Sequence, residues 1–242
     1  MKKITLDELL QHGVHFGHQR KRWNPQMQPY IFALRNGVYV INLETTLVKL
    51  EEAVTAVQDI VKKGGSVLFV GTKRQAKDIV RREAERAGMP FIVERWLGGM
   101  FTNFNSVSNT FKRYNQLLED KKSGKLEKYT KKEQLLLTRE IDRLERMIGG
   151  VSQLKKLPEA IFVVDIKHEA TAVREARKKG VPIVALVDTN ANPQQVTWPI
   201  PANDDATKSI ELLTGVIAEA IIEAKKEAAA QAPTQQVIKS QA

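Results

Sequence analysis

The chain has 242 residues, of which 42% are hydrophobic and 27% charged, a composition typical of a soluble folded protein with a substantial core. It contains no cysteine, which excludes disulfides, thiolate metal sites and cysteine catalysis. No apolar run approaches the roughly 18 residues that span a bilayer, and acidic residues follow the first Met too soon for a signal peptide. We therefore expect a cytoplasmic protein.

The net charge is +10, and the excess of Lys and Arg over Asp and Glu is concentrated in two segments. Residues 1–43 carry a net charge of +4 and residues 112–156 one of +6, whereas residues 204–242 carry −2. Two separate cationic surfaces favour docking to nucleic acid. Binding to an anionic membrane is disfavoured, because neither basic segment pairs its cations with a strongly apolar opposite face.

The N-terminal region, residues 1–43, is predicted to contain a short helix, a basic loop and a β-hairpin. Thr5 and Glu8 form the capping-box pattern that starts a helix. Strand-like residues lie on both sides of Asn36-Gly37, a dipeptide that favours a tight hairpin turn.

The basic loop of this region extends from residue 14 to residue 31. It holds three consecutive cations and several aromatic rings, contains no acidic residue, and follows neither a helical nor a strand period. Guanidinium and ammonium groups pair with phosphates, and rings stack on unpaired bases, so an irregular loop of this kind suits RNA. The leading predicted RNA contacts are Arg20, Lys21, Arg22 and Trp23.

Strands and helices alternate along the rest of the chain, with one interruption. Alternation implies a parallel sheet with right-handed crossovers, and we predict a three-layer α/β domain made of residues 44–104 and 151–227. The predicted strands are 66–70, 91–93, 160–164 and 183–187, and the predicted helices are 44–63, 74–87, 169–179 and 205–226.

The interruption, residues 105–150, contains two long charged helical segments at 106–123 and 131–148. A narrow apolar stripe on each predicts an inserted antiparallel coiled-coil hairpin. Exposed charges on such a helix pair are often only a solvated face, but Lys112, Arg113, Lys131 and Lys132 are further predicted RNA contacts.

The C-terminal residues, 228–242, are rich in Ala, Gln and Ser and lack the apolar content of an ordered segment. They are predicted to be a disordered tail.

The βα turn that begins at Gly71 stands where α/β proteins bind phosphate. It matches neither of the common glycine motifs for nucleotides, so a plain turn with solvated cations is favoured. A nucleotide-binding enzyme that uses this turn is nevertheless the alternative function. In a third interpretation of the same turn, Lys73 and Arg74 hold an RNA phosphate.

Three aromatic residues lie just before the insertion, beside paired glycines. Trp96, Phe101 and Phe104 either stack on bases or seat the insertion on the domain, and packing is the favoured role. The neighbouring Arg95 and Asn103 are predicted to make polar contacts with RNA.

A mixed nitrogen and oxygen site for a structural divalent metal, zinc or magnesium, is a further hypothesis. The alternative is that these side chains are simply hydrogen-bonded or face RNA. No cofactor is required by the sequence. The candidate ligands are His15, His18, Asp188, Asp204 and Asp205.

The chain contains no G-x-S-x-G, no H-E-x-x-H and no organised set of His, carboxylate and Ser, so no catalytic residue is assigned and no enzyme is expected. A scaffold that binds only protein through the coiled coil is the third functional alternative.

Several blocks of sequence carry a resemblance to a known family. They are Gly13–His18, Arg22–Pro25, Phe69–Lys73, Arg95–Gly99, Leu157–Ala160, Val187–Asn190 and Ile200–Ala206. Over about residues 5–226 and in the same order, they closely resemble bacterial small-subunit ribosomal protein two.

This resemblance implies a flavodoxin-like, Rossmann-like parallel sheet with an inserted coiled coil. It also implies a structural, ribosome-bound protein that binds small-subunit ribosomal RNA between the head and the body of the subunit. The implied protein partners are neighbouring ribosomal proteins, including ribosomal protein one where a bacterium has it. Neither a membrane nor a small-molecule substrate is expected.

Overall fold

The computed structural model describes residues 4–239, with side chains through residue 230. The helices and strands in chain order are α1 (Leu6–Gln11), β1 (Phe16–Gln19), β2 (Ile31–Arg35), β3 (Val38–Ile41), α2 (Leu43–Lys62), β4 (Val67–Val70), α3 (Lys77–Ala87), β5 (Phe91–Ile92), α4 (Phe104–Lys122), α5 (Lys131–Ile148), β6 (Ala160–Val164), α6 (Ala170–Lys179), β7 (Ile183–Val187), β8 (Trp198–Pro201) and α7 (Thr207–Lys239). Among the helices of these residues, none is long and apolar enough to cross a bilayer.

The main sheet has five parallel strands in the order β5-β4-β6-β7-β8. Its central strands β4, β6 and β7 are buried along their whole length, as their continuous apolar runs predict. One face packs against α1, α2, α3 and α7, and the other packs against α6 and the insertion helices α4 and α5. The prediction of a three-layer, Rossmann-like α/β fold is thereby confirmed.

Strand β8 is absent from the sequence-based prediction. It contains Pro199 and Pro201, which cannot donate a backbone hydrogen bond and are normally confined to edge strands. Within the described sheet β8 is indeed an edge strand and pairs only with β7. The prolines that hide the strand in the sequence are tolerated because its outer side has no neighbour.

The N-terminal region forms a second, antiparallel sheet in the order β1-β3-β2. The predicted hairpin turn is confirmed, and Asn36 and Gly37 have φ angles of 48° and 75°, as a tight turn between twisted strands requires. The predicted capping box of α1 is present as well.

The basic loop is more ordered than the sequence predicts. Its first residues form β1, which pairs with β3, and Met27 is completely buried. Val14 and Met27 join hydrophobic clusters on opposite faces of the main sheet. These two apolar residues fix the loop at both ends. Because they are isolated and 13 residues apart, they produce no periodic pattern that could be recognised in the sequence.

The insertion helices α4 and α5 begin and end close to their predicted bounds. They share a buried apolar stripe, and a capping box at Thr130 and Glu133 starts α5. The stripe consists of Phe111, Tyr114, Leu117, Ile141, Leu144 and Ile148.

Helix α7 continues to Lys239, whereas the sequence predicts that it ends near Lys226. Glu227 and the run Ala228–Ala230 follow, and alanine has the highest intrinsic helix propensity of any residue type. Residues 240–242 of the predicted disordered tail lie outside the described residues.

Candidate nucleic-acid interface

The three consecutive cations of the basic loop, Arg20–Arg22, form a 3-10 turn and are exposed. Within residues 4–239 none of the three makes a salt bridge. Trp23 packs against Tyr39 with ring centroids 4.9 Å apart, and the backbone N–H of Asn24 donates to the carbonyl oxygen of Thr189 at 2.7 Å. The loop is therefore held in place, and its cations need little further ordering to meet a polyanion.

The Gly71 turn is closed by the protein's own side chains. The backbone N–H and the hydroxyl of Thr72 both donate to the carboxylate of Glu169, at 2.7 and 2.6 Å. Burial raises the pKa of Glu169 although these hydrogen bonds oppose the shift. The backbone N–H of Thr72, which a nucleotide phosphate would need as a donor, already donates to Glu169. The geometry therefore does not support the nucleotide-binding alternative.

Lys73 lies in an internal ion-pair cluster. Its Nζ is 2.9 Å from Asp165 Oδ2, 2.9 Å from Asp204 Oδ1 and 2.6 Å from Asp205 Oδ1. Burial opposes the charge of Lys73, but the three carboxylates raise its pKa. Lys73 is predicted to contact RNA, but the structure does not leave it free on the surface. Carboxylates that are distant in sequence surround its ammonium group instead. Its neighbour Arg74 is exposed.

Next to this cluster, three polar side chains surround the imidazole of His18. We call the residues His18, Asp188, Asn190 and Asp205 the His18 cluster. His18 Nδ1 is 3.0 Å from Asp188 Oδ2, while His18 Nε2 is 3.4 Å from Asp205 Oδ2 and 2.9 Å from Asn190 Nδ2. The hydrogen bond with Asp188 raises the pKa of His18, and burial opposes the rise.

The other two candidate metal ligands lie differently. His15 packs against Phe16, with ring centroids 4.0 Å apart, and burial lowers its pKa. The carboxylate of Asp204 is fully buried; Oδ1 accepts from Lys73, and Oδ2 has no hydrogen-bond partner. Burial and two neighbouring aspartates raise the pKa of Asp204 to about 8. The structure therefore brings together His18, Asp188 and Asp205 but not His15.

Glu175 organises the segment at the base of the insertion. Its carboxylate accepts hydrogen bonds from Trp96 Nε1 at 3.3 Å and from the backbone N–H groups of Gly99 and Phe101 at 2.7 and 2.9 Å. Trp96 and Phe101 are buried and pack edge to face. The favoured role of these rings in packing is confirmed, because buried rings are not available to stack on bases.

A groove of about 790 Å³ opens beside this base, between the start of α4 and residues 152–157. It contains the predicted contacts Asn103 and Lys112, together with Lys155 and Lys179, which are not among the predicted contacts. Lys179 lies in the last turn of α6, where a cation is favoured by the helix dipole. Lys155 belongs to the segment of residues 112–156 with a net charge of +6, and this is the feature of the sequence that could have identified it. Only the fold brings it into one groove with Lys179.

The remaining predicted contacts differ in their freedom to bind. Arg113 Nε is 3.0 Å from Glu140 Oε1, so this guanidinium already has a carboxylate partner. In the part of the chain that the structure describes, the others are exposed and make no salt bridge. These are Arg74, Arg95, Lys112, Lys131 and Lys132.

Together the fold and these surfaces define a Rossmann-like α/β protein that carries a cationic N-terminal loop and a cationic insertion. Its Gly71 turn, which stands where α/β proteins bind phosphate, is occupied by the protein's own side chains. The chain belongs to the ribosomal protein S2 family, whose family model matches residues 9–224.

Its relatives agree with this assignment over nearly the whole chain. The small ribosomal subunit protein uS2 of Coprothermobacter proteolyticus is 50% identical over 93% of this chain and 84% of its own length. That of Chlorobaculum tepidum is 51% identical over 92% of this chain and 90% of its own length. A third, from Chlorobaculum parvum, is 50% identical over 93% and 90%.

Proposed function

We propose that this protein is a structural constituent of the small ribosomal subunit and binds small-subunit ribosomal RNA and neighbouring ribosomal proteins in support of translation. One observation carries the proposal: about half of the aligned residues are identical to proteins named small ribosomal subunit protein uS2. The family is structural rather than enzymatic. The proposed position is the head-body junction of cytoplasmic ribosomes, with ribosomal protein one among the neighbours where a bacterium has it.

The proposed RNA-binding surface consists of the basic loop and the insertion. Arg20–Arg22 are exposed and make no salt bridge among the described residues, so they can neutralise phosphates without first breaking internal ion pairs. The second area is the groove with Lys112, Lys155 and Lys179. We propose that residues 105–150 act as one unit, an inserted coiled-coil hairpin that projects its own cations, among them Lys112, Lys131 and Lys132, from an α/β domain of residues 44–104 and 151–227.

The mechanism follows from electrostatics. Each phosphate that a Lys or Arg neutralises releases condensed counterions, and the released ions favour association. Phosphate contacts fix position and orientation without reading sequence, which suits a protein that occupies one place in a large folded RNA. Anchors such as Met27 keep the loop in register with the sheet, so the cations meet the RNA as a fixed pattern.

The test is reassembly of the full chain with small subunits that have been depleted of it. The charge-reversed variant R20E/K21E/R22E is compared with K63E/K208E/K226E, which makes the same change in net charge at exposed lysines of the α2 and α7 layer. We expect the loop variant to lose at least about tenfold in affinity, because three attractive contacts become repulsive.

The control variant is expected to bind like the wild type. Equal loss in both variants would mean that net charge alone matters. Intact binding of the loop variant would favour the alternative scaffold that docks only on protein, and would contradict the proposed RNA-binding role of the loop.

A further inference from the structure

We infer that a groove along the outer side of α2 binds a basic segment of a neighbouring protein of the small subunit. The groove has a volume of about 730 Å³ and lies between α2 and the start of the edge strand β8. We call it the α2 groove. The inference rests on the proposed function, because the partner belongs to the same subunit, and it adds a surface and a partner chemistry. The residues that carry the argument are Val48, Glu51, Thr55, Asp59, Ile60 and Trp198.

One side of α2 supplies most of the α2 groove. The lining residues at positions 48, 52, 55 and 59 follow one another at intervals of three or four, so they share one side of the helix. All four are exposed, whereas Ala53, Val54 and Val57 on the opposite side are buried in the core. The side of α2 that lines the groove is therefore the side that the fold itself does not use.

The α2 groove has an apolar floor. The side chain of Val48 is 54% exposed. Ile60 and Trp198 are half-buried and pack with their inner parts against the core. Among the described residues the indole N–H of Trp198 has no acceptor, so it is available to a partner. An apolar patch with a polar rim marks a protein interaction site, and tryptophan is enriched among the residues that contribute most to binding.

The rim of the α2 groove is acidic. Three carboxylates, of Glu51, Glu52 and Asp59, stand against one lining cation, Lys63. Glu52 is paired with Lys49 at 2.8 Å, but Glu51 and Asp59 make no salt bridge within the described residues. These free carboxylates lie on a chain whose net charge is +10. They repel RNA phosphates and attract Lys and Arg, so the charge of the rim selects a basic protein segment.

This chain itself shows the kind of segment that would fit. Arg20–Arg22 are three consecutive cations, and a protein that contacts phosphates in the same particle needs similar segments. Where such a segment of a neighbour crosses the α2 groove, its cations would pair with Glu51 and Asp59, and an apolar side chain would enter beside Trp198. The groove lies in the helix layer opposite the insertion helices, so the contact does not compete with the RNA-binding groove beside α4.

The experiment is photo-cross-linking in small subunits reassembled with the full chain, in which photoreactive benzoylphenylalanine replaces Thr55. Thr55 is exposed in the α2 groove, and its hydroxyl donates only to a backbone carbonyl oxygen. The same chain is also made with E51K/D59K and, as matched control, with D78K/E85K. Asp78 and Glu85 are exposed carboxylates of α3 that make no salt bridge in the described part of the chain, so both variants change the net charge equally.

We expect position 55 to cross-link to one segment of another small-subunit protein, in which Lys and Arg outnumber Asp and Glu. Mass spectrometry of the cross-linked peptides identifies it. E51K/D59K should lower the yield at least about fivefold, because carboxylates that attract the segment become cations that repel it. D78K/E85K should leave the yield unchanged.

A cross-link to RNA, to a second copy of this chain or to an acidic segment would overturn the inference, and so would a yield that E51K/D59K does not change. If the chain joins the subunit without any cross-link from position 55, the inference is wrong and the proposed function stands. If the chain does not join the subunit at all, both are contradicted. Circular dichroism of each variant separates loss of contact from loss of folding.

Discussion

At the scale of single residues, two charged side chains of this protein have internal roles that their positions in the sequence do not show. Lys73 follows a strand in a turn typical of phosphate binding, yet three carboxylates enclose its ammonium group. Glu175 lies in the middle of a charged helix, yet it accepts hydrogen bonds from the segment at residues 96–102. In both cases burial makes the interaction strong and its loss costly.

The variant Lys73→Met tests the internal role of Lys73. Removing one partner of a buried ion pair leaves uncompensated charge, so we expect a loss of about 3 kcal/mol in the free energy of unfolding. Urea titration in the presence of a metal chelator measures it. The exposed Lys208→Met is the control, expected within about 0.5 kcal/mol of wild type. A K73M protein as stable as this control would mean that the cluster does not hold the Gly71 turn.

The variant Glu175→Gln has a pH-dependent prediction. Burial alone would raise the pKa of Glu175, but hydrogen bonds from the backbone N–H groups of Gly99, Phe101 and Thr102 outweigh it, and the net pKa is lowered from 4.5. A lowered carboxyl pKa stabilises the fold above the unfolded pKa, and this contribution is lost as the pH falls through the folded pKa.

We therefore expect E175Q to be less stable than wild type by about 1–3 kcal/mol at neutral pH. The difference should shrink as the pH is lowered from about 7 toward about 3, because the wild-type carboxylate becomes protonated. Urea unfolding at several pH values measures it, with the exposed Glu85→Gln as control. A difference that is constant over this range would show that charge at Glu175 does not matter.

At the scale of elements, the insertion is joined to the sheet by close packing at its two ends. The end of α5 runs into Gly149-Gly150, and a Cβ atom placed on Gly150 would collide with the carbonyl oxygen and the ring of Phe91 in β5. At the other end, Glu175 of α6 fixes the segment before α4. Gly150 therefore permits tight contact between the end of the insertion and β5.

Gly150→Ala and Gly149→Ala form a matched pair for this junction. The first should destabilise the protein by roughly 1–3 kcal/mol, because the added methyl group displaces the backbone of the edge strand. The second should change stability by less than about 1 kcal/mol, because a Cβ at Gly149 meets its nearest neighbour at 3.5 Å, an ordinary contact. Thermal unfolding measures both, and similar values for the two would show that the insertion is not packed against β5 in this way.

At the scale of the whole molecule, free cations and paired cations occupy different regions. The layer with α3 and α7 neutralises its charges in pairs such as Arg82 with Glu211 and Arg86 with Glu219. Arg20–Arg22 of the basic loop and Lys112, Lys155 and Lys179 of the groove make no salt bridge within the described residues, whereas Lys156 of the groove is paired with Glu159. Net charge alone would not distinguish these regions, but the pairing pattern does.

This separation predicts how binding depends on salt. The variant R20A/K21A/R22A should reduce the slope of log affinity against log salt concentration by about 2–3, at about 0.7–0.9 for each lost phosphate contact. K155A/K179A should reduce it by about 1–2 on the same scale. If the basic loop and the groove bind one RNA, the two reductions in slope should add in the variant that combines all five substitutions. Binding to small-subunit RNA at several salt concentrations measures the slopes. An unchanged slope in either variant would remove that area from the interface.

The sequence by itself determined the α/β class, the hairpin at Asn36-Gly37, the insertion helices and the two cationic regions. These features are local: apolar periodicity, turn residues and charge counts act over a few neighbouring residues. Their signals are readable without knowing the fold.

Only the tertiary structure decided which charges are free. Lys73 and Arg20 are alike in a sequence, but folding surrounds the first with carboxylates from residues 165, 204 and 205 and leaves the second exposed. It also separated His15 from His18, made β8 an edge strand and brought Lys155 to Lys179. The physical reason is that burial and electrostatic pairing depend on contacts between residues far apart in the chain, which no local pattern records.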